Sequence, residues 1–181
     1  MIPRIVITGA PASGKTEVFE RLRLDPRYAA FTFFEELARR LLIDNPHYHT
    51  DRAAFHREIY HRQTAREDAL KGTPFISDRG TVDAFAFHPE TAADVGTTIE
   101  AEYNRYNHVI HLGSSARLGP EAYKTDEIRR ESLEDALVIE AAIEKVWRNH
   151  PGYHYLQATV DFEEKYTRFL SLVNSLVILT E

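Results

Sequence analysis

The sequence of 181 residues contains no cysteine. Disulfide bonds, thiolate metal sites and a cysteine nucleophile are therefore excluded, and the chain is compatible with the reducing cytoplasm, where we expect it. It also lacks any run of about 18 uncharged apolar residues, which a membrane-spanning helix needs. The first residues show neither the charged nor the apolar segment of a secretion signal. We therefore expect no membrane partner and no export.

An excess of positive charge is missing as well. The formal net charge is -6, whereas a general nucleic-acid-binding protein normally presents a basic face. We therefore expect no nucleic-acid partner, although a small basic pocket for phosphate groups is compatible with this charge. No linker, internal repeat or low-complexity stretch divides the chain, so we expect a single domain over residues 1–181.

A glycine-rich loop is the most specific feature that is present. The letters "GAPASGKT" follow an apolar β-branched run, precede a helical pattern and match the P-loop pattern G-x-x-x-x-G-K-[ST]. The two glycines can adopt backbone angles closed to other residues, and the N–H groups of the loop can surround a phosphate at a helix N-terminus. The predicted nucleotide-binding residues are Gly9, Ala10, Ala12, Ser13, Gly14, Lys15 and Thr16.

Two side chains of this loop have predicted roles of their own. Lys15 would reach the outer phosphates of a nucleotide, and the Thr16 hydroxyl would coordinate the Mg²⁺ ion that bridges them. A strand–helix turn that matches by chance is disfavoured, because the pattern, the upstream strand and the downstream helix agree. The guanine-specifying N-K-x-D tetrapeptide does not occur, which favours ATP over GTP.

Strand-like runs alternate with helical patterns along the chain, which is typical of a parallel α/β sheet. We expect an α/β three-layer P-loop NTPase fold, with about five mostly parallel strands, helices on both faces and a short lid segment at about residues 114–130. Residues 177–181 either finish the last helix or add an edge strand. The predicted strands are 4–8, 30–34, 73–78, 108–113 and 153–158, and the clearest helices are 35–44, 50–72, 131–150 and 161–177.

An acid and a base stand where the third predicted strand ends. Ligands of open α/β sheets bind just outside the carboxyl ends of the strands. Asp78 would there hold Mg²⁺ or its waters, and Arg79 would pair with a phosphate or with a carboxylate on an acceptor. A turn-capping aspartate with a surface arginine is the alternative, and the P-loop in the same chain makes it less favoured. Farther along, Phe85 and Phe87 either line an acceptor ring or pack in the core.

A third acid and a second arginine complete the candidate site. A kinase that acts on a hydroxyl benefits from a carboxylate that accepts or orients the proton of its acceptor. Glu35 and Glu36 follow the second strand, and of the two we favour Glu36, although acids near a helix N-terminus are also favourable without any function. In the lid segment, Arg129 would stabilise charge on the transferring phosphoryl group, with Lys124 as a further candidate. A solvated charge run is an equal alternative there.

Taken together, the chain resembles a family of small AAA-type P-loop proteins. This family includes the ribosylnicotinamide kinase part of the bacterial NAD regulator and is allied to nucleoside and nucleotide kinases. Many relatives carry glycine where this chain has Ala12, and we expect the loop to supply ordinary backbone angles there. The resemblance rests on "ITGAPASGKT", the E-x-A-R of "EELAR" (Glu36 to Arg39), "SDRGTVDAFAF", "YNHVIHL" and "DEIRRES". It implies phosphate, Mg²⁺, acceptor and lid roles for Lys15, Thr16, Glu36, Asp78, Arg79 and Arg129.

The sequence thus predicts a phosphotransferase that moves the γ-phosphoryl group of Mg-ATP to a small hydroxyl or phosphate acceptor, such as a nucleoside-like molecule. Its expected cofactors are ATP and Mg²⁺. The runner-up is a switch that hydrolyses ATP or GTP slowly and acts on a protein partner. An inactive P-loop scaffold is a third possibility, against which the intact Lys15, Thr16 and Asp78 argue.

Overall fold

The β-branched and aromatic runs form the strands of one central sheet in the computed structural model, which describes residues 2–70, 72–123 and 131–178. The sheet order is β2-β3-β1-β4-β5, and every neighbouring pair is parallel. This confirms the predicted α/β P-loop NTPase fold. The strands are β1 (Arg4–Thr8), β2 (Thr32–Phe34), β3 (Phe75–Asp78), β4 (His108–Leu112) and β5 (Tyr153–Leu156).

Helices connect successive strands, as parallel pairing requires. The boundaries follow local signals: Asp51 accepts a hydrogen bond from the Ala54 N–H at the start of α3, and Ser132 forms a capping box with Asp135 at the start of α7. The helices are α1 (Lys15–Leu24), α2 (Ala38–Asp44), α3 (Arg52–Asp68), α4 (Asp83–Phe87), α5 (Thr91–Asp94), α6 (Ile99–Tyr103), α7 (Leu133–Trp147) and α8 (Phe162–Ile178).

The core lies in two layers, one on each face of the sheet. Alternate residues of a strand point to opposite faces, so Ile5 and Ile7 of β1 pack in the layer with α1 and α8. Val6 points the other way and packs in the layer with α4 and α7. Because both layers pack against β1, its carboxyl end is held from both sides, and the loop of residues 9–16 starts from a fixed position.

Several element boundaries differ from prediction. Helix α2 begins at Ala38 rather than at residue 35, which leaves Glu35 and Glu36 in the turn after β2. Val177 and Ile178 finish helix α8, so of the two alternatives for the tail the helix is observed as far as residue 178. None of the helices within the described ranges has the length and apolar character that a membrane crossing requires.

The predicted lid segment is packed at its start. A 3₁₀ turn at Ser115–Leu118 follows β4, and Ala116 and Tyr123 are buried against Ala136 of α7. Glycine, proline and charge without a clear apolar stripe predict a mobile lid here, and that remains a prediction; residues 114–123 nevertheless contact the core through Ala116 and Tyr123. The two buried apolar side chains of residues 114–123, Ala116 and Tyr123, are too few and too far apart to produce a periodic signal. Lys124–Arg130, which include Arg129, lie outside the described residues.

Candidate functional site

The phosphate-binding loop connects β1 to α1 at the carboxyl edge of the sheet. Gly14 has a φ of 79° and caps α1, and a Cβ at this position would lie 2.8 Å from Cε2 of Phe162. Only glycine fits there without strain. The Ser13 N–H donates to the Ala10 carbonyl oxygen at 3.2 Å and closes the turn. A cavity of about 510 Å³, the donor cavity, is lined by residues 9–17, Glu36, Arg39, Arg79 and Glu131.

Ala12 does not have the ordinary backbone angles that we expected. Its φ is 62°, in the left-handed region, where an L-residue with a Cβ is strained. The loop therefore keeps a conformation that suits glycine although alanine stands at this position. Backbone strain of this kind persists where the surrounding structure holds it, and it concentrates at functional sites.

Lys15 and Asp78 form a buried ion pair between the loop and β3. The two residues meet because β1 and β3 are neighbouring parallel strands, with Ile7 in register with Asp78. Burial raises the pKa of the Asp78 carboxyl above its usual range, an effect that the nearby Lys15 ammonium opposes and the Glu36 carboxylate reinforces. The cation of the P-loop is therefore paired with a carboxylate of the protein.

Arg79 is held in one position from three sides. Its Nε donates to Oε1 of Glu36 at 2.9 Å, and its Nη1 donates to Oδ1 of Asp83 at 3.3 Å. The guanidinium carbon lies 5.1 Å from the ring centroid of Phe87, within cation–π range. The φ of Arg79 is 70°, a strained value for a residue with a side chain. The Ser77 hydroxyl donates to the Arg79 carbonyl oxygen at 2.6 Å and helps to hold this conformation.

The two candidate glutamates have different surroundings. Glu35 is exposed and lies 3.5 Å from Nη1 of Arg23 on the outer surface, whereas Glu36 faces the site. Burial by itself would raise the pKa of Glu36, but the charges of Arg79, Lys15 and Arg39 and a hydrogen bond from Arg79 lower it to about 2. Glu36 is therefore a carboxylate at every physiological pH, next to the loop that is expected to hold phosphates.

Asp83 completes the cluster, although no motif in the sequence points to it. It is 1% exposed and accepts hydrogen bonds from the Thr8 hydroxyl at 2.5 Å, the Gly80 N–H at 2.9 Å and the Trp147 indole at 3.3 Å. Its only signal in the sequence is an acid inside the otherwise apolar segment of residues 82–87. Its carboxylate connects β1, α4 and α7 directly beneath Arg79.

A second cavity, of about 380 Å³, lies beside the first, and we call it the acceptor cavity. Four residues line both cavities and mark where they meet: Pro11, Glu36, Arg79 and Glu131. Phe87 lines the acceptor cavity, whereas Phe85 is 2% exposed and belongs to the core. The part of the cavity away from the junction is lined by Tyr48, His49, Arg52, Phe55 and His56.

His56 gives the acceptor cavity a neutral polar wall. Burial lowers its pKa to about 4, and the nearby charges of Arg52 and His88 add to the effect. The ring stacks on Phe87 with a centroid distance of 6.1 Å and an interplanar angle of 4°, and its Nδ1 has no hydrogen-bond partner among the described residues. No spacing rule in the sequence distinguishes this histidine from the eight others.

Thr16 and Asp78 suit the magnesium ion that we expect. A hydroxyl and a carboxylate supply the hard oxygen ligands that Mg²⁺ prefers, and Mg²⁺ usually keeps several waters, so two protein ligands suffice. Thr16 is exposed on the donor cavity, and Asp78 lies at the strand end next to Lys15. Within the described ranges, no three histidine, aspartate or glutamate side chains gather into a separate metal cluster.

A phosphate-binding loop at the carboxyl edge of a parallel sheet in the order β2-β3-β1-β4-β5 defines a protein with the P-loop NTPase fold. The chain belongs to the AAA domain family, which it matches over residues 4–165. No match was found among curated protein sequences.

Solved structures of a deoxyadenosine kinase from M. mycoides are similar to this chain. The structure with bound dATP has a TM-score of 0.61 and 14% sequence identity, and the alignment covers 94% of this chain and 99% of the kinase. The structure with the products dCMP and a flexible dCDP has a TM-score of 0.56 at 17% identity, and the one with dCTP has 0.55 at 18%; each covers 95% of this chain and 99% of the kinase. At such identities the similarity establishes the fold.

Proposed function

We propose that this protein is an ATP-dependent kinase that phosphorylates a hydroxyl of a small, nucleoside-like acceptor. One observation carries the proposal: Glu36 and Arg79, a carboxylate and a guanidinium, line both the donor cavity and the acceptor cavity. These are two of the four junction residues, and their charges suit the transfer of a phosphoryl group from one cavity to the other. Phosphoryl transfer needs little beyond correct positioning and charge stabilisation at that point.

The donor site is formed by the loop of residues 9–16. Its main-chain N–H groups surround the phosphates, and Lys15 moves from Asp78 onto the outer phosphates when the nucleotide binds. Thr16 and Asp78 would hold Mg²⁺, which would neutralise charge on the phosphates. Separation of the Lys15–Asp78 pair thus frees a cation for the phosphates and leaves a carboxylate that would be available to hold the metal.

Transfer then takes place at the junction of the two cavities. The acceptor hydroxyl oxygen forms a bond to the γ-phosphorus while the bond from that phosphorus to the β–γ bridging oxygen breaks, and ADP leaves. Glu36 first orients the hydroxyl and receives its proton as the new bond forms. Arg79, together with Arg129 of the lid segment, stabilises the charge on the moving phosphoryl group.

The shape and chemistry of the acceptor cavity support a nucleoside-like acceptor. Its volume of about 380 Å³ suits a small molecule, and the aromatic side chains of His56 and Phe87 contribute to its lining. The deoxyadenosine kinase structures that resemble this chain contain deoxynucleotides, which makes nucleosides the first acceptors to test. Ribosylnicotinamide, which the sequence resemblance suggests, belongs in the same panel.

The test follows ADP formation from Mg-ATP, first alone and then with ribo- and deoxynucleosides, ribosylnicotinamide, nucleoside monophosphates and small alcohols. We expect strong stimulation by at least one nucleoside-like acceptor and a phosphorylated product in equal amount. A slow rate that no acceptor changes would refute the kinase and favour a nucleotide-hydrolysing switch. Lys15→Ala should abolish turnover in either case while the protein stays folded.

Two neighbouring glutamates provide a matched pair of variants for the same assay. Glu36→Gln should lower kcat by about 10²-fold or more, the usual contribution of a positioned carboxylate, without weakening nucleotide binding. Glu35→Gln changes the same chemical group one residue away, on the exposed surface, and should keep kcat within about twofold. Equal losses in the two variants would contradict the role of Glu36.

A further inference from the structure

Helix α2 directs three consecutive side chains into three different surroundings. Successive helical residues are rotated by about 100° from one another, and here Ala38 lines the acceptor cavity while Arg39 lines the donor cavity. Arg40 lines neither: its side chain is 86% exposed, and its Nε lies 3.7 Å from Oδ2 of Asp44. Both arginines are exposed, but Arg39 lines the donor cavity and Arg40 lies outside both cavities.

Among the cations that line the donor cavity, Arg39 differs in having no partner in the part of the chain that the structure describes. Lys15 is paired with Asp78, and Arg79 is bonded to Glu36 and Asp83. Within the described ranges, Arg39 forms neither a hydrogen bond nor an ion pair, although its charge contributes to the lowered pKa of Glu36. A polyphosphate can therefore bind to Arg39 without first breaking an ion pair of the protein.

Its place in the cavity indicates which phosphate it would meet. In the proposed function the loop of residues 9–16 binds the phosphate chain, and the phosphate to be transferred lies where Glu36 and Arg79 mark the junction with the acceptor cavity. Arg39 follows Glu36 by three residues and contributes positive potential at that carboxylate without pairing with it. Arg39 therefore lines the donor cavity and acts on the charge of a junction residue, on the side that the proposed function assigns to the terminal phosphate.

We propose that Arg39 binds the terminal phosphate of the bound triphosphate and holds it at the junction of the two cavities. A guanidinium fork donates two parallel hydrogen bonds to phosphate oxygens and stays charged at any working pH. It also stabilises negative charge as the phosphoryl group leaves ADP. The inference rests on the proposed triphosphate binding and is independent of which acceptor is used.

The test compares Arg39→Gln with Arg40→Gln in the full chain. Dissociation constants are measured by calorimetry, with Mg²⁺ present, for ADP and for an ATP analogue whose β–γ bridge is an imido group. Arg39→Gln should weaken the analogue by about tenfold or more, the expected loss of a charge-assisted contact, and leave ADP within about twofold. Arg40→Gln should change neither constant. Arg39→Lys, which keeps the charge without the fork, should restore part of the loss.

Each other result of these binding measurements would contradict a specific part of the proposal. An equal loss for ADP and the analogue would place Arg39 on the inner phosphates and refute the terminal-phosphate role. Unchanged binding of both nucleotides to Arg39→Gln would make Arg39 a surface charge and refute the inference while the proposed function stands. Failure of the unmodified protein to bind either nucleotide would refute the proposed function itself, and the role of Arg39 with it.

Discussion

The side chain of Lys165 on α8 donates a hydrogen bond of 2.7 Å to the carbonyl oxygen of Ser13, inside the phosphate-binding loop. A second bond, of 2.6 Å, goes from the same ammonium to the carbonyl oxygen of Gly113, just after β4. Lys165 is 4% exposed, and burial lowers its pKa to about 8. One buried cation thus connects the last helix to the loop and to the start of the lid segment.

Lys165→Met should reduce both stability and nucleotide affinity. The substitution leaves two buried carbonyl oxygens without a donor, which costs about 1–3 kcal/mol for each group left unsatisfied. The loop then loses a support without losing any group that touches the phosphates. We expect a higher KM for ATP with a smaller change in kcat. Urea denaturation and steady-state kinetics check the two parts.

The control for this change is Lys145→Met, at an exposed position on α7. It removes the same charge from the chain and should leave the free energy of unfolding within about 0.5 kcal/mol and the KM unchanged. An unaltered KM in Lys165→Met, with reduced stability alone, would show that Lys165 has no positioning effect on the loop.

Two positions of the loop offer opposite tests of backbone strain. Ala12→Gly removes a Cβ at a φ of 62°. It should raise the free energy of unfolding by up to about 1 kcal/mol, because the relief of strain exceeds the entropy cost of glycine. Gly14→Ala adds a Cβ at a φ of 79°, only 2.8 Å from Phe162. It should destabilise the fold and weaken ATP binding. Thermal unfolding with and without Mg-ATP measures both effects, and a loss of stability in Ala12→Gly would contradict the strain at this position.

The parts of the site that could be predicted from the sequence are those with local signals. The P-loop residues can be identified from the sequence because glycine, lysine and threonine occur at a set spacing beside a strand. Asp78 and Arg79 were identifiable because a strand end in an α/β sheet is a known position for ligands. All these inferences use residues within a few positions of one another.

The missed residues depend on contacts between distant parts of the chain. Asp83 bonds Trp147, 64 positions later, and Lys165 reaches Ser13 across 152 positions. Nothing in the segment around either residue reveals the partner, because only the packing of α4, α7 and α8 on the sheet brings them together. The conformation of Ala12 was predicted wrongly for a related reason: the loop around it imposes an angle that alanine by itself avoids.

His56 should make stability depend on pH in the mildly acidic range. Its pKa in the folded state is about 4, below the ordinary value of about 6.5 for an unfolded chain. Between these values the unfolded state binds a proton and the folded state does not, so the free energy of unfolding falls as the pH falls from about 6.5 to about 4. His56→Gln should lose less stability over this range, and urea denaturation at several pH values measures the difference.

His61→Gln is the matched control, because His61 lies on the same helix but is exposed. It should reproduce the pH dependence of the unmodified protein. If His56→Gln and His61→Gln have the same dependence, burial does not keep His56 neutral, and the description of the acceptor cavity as having a neutral wall would be wrong.

Asp83→Asn should lower both the stability of the protein and its activity, because Asp83 supports the site from the core side. Asp83 accepts hydrogen bonds from the side chains of Thr8, Arg79 and Trp147, and an amide replaces one accepting oxygen with an NH₂ group that faces donors. We expect a loss of about 2–4 kcal/mol in the free energy of unfolding. Activity should fall further than stability explains, because Arg79 loses one of the two carboxylates that position it.

The control is Asp94→Asn, which breaks only an exposed pair with Arg57 and should cost no more than about 1 kcal/mol. If Asp83→Asn retains full kcat at a temperature where it is folded, Glu36 alone suffices to position Arg79, and Asp83 is a structural residue.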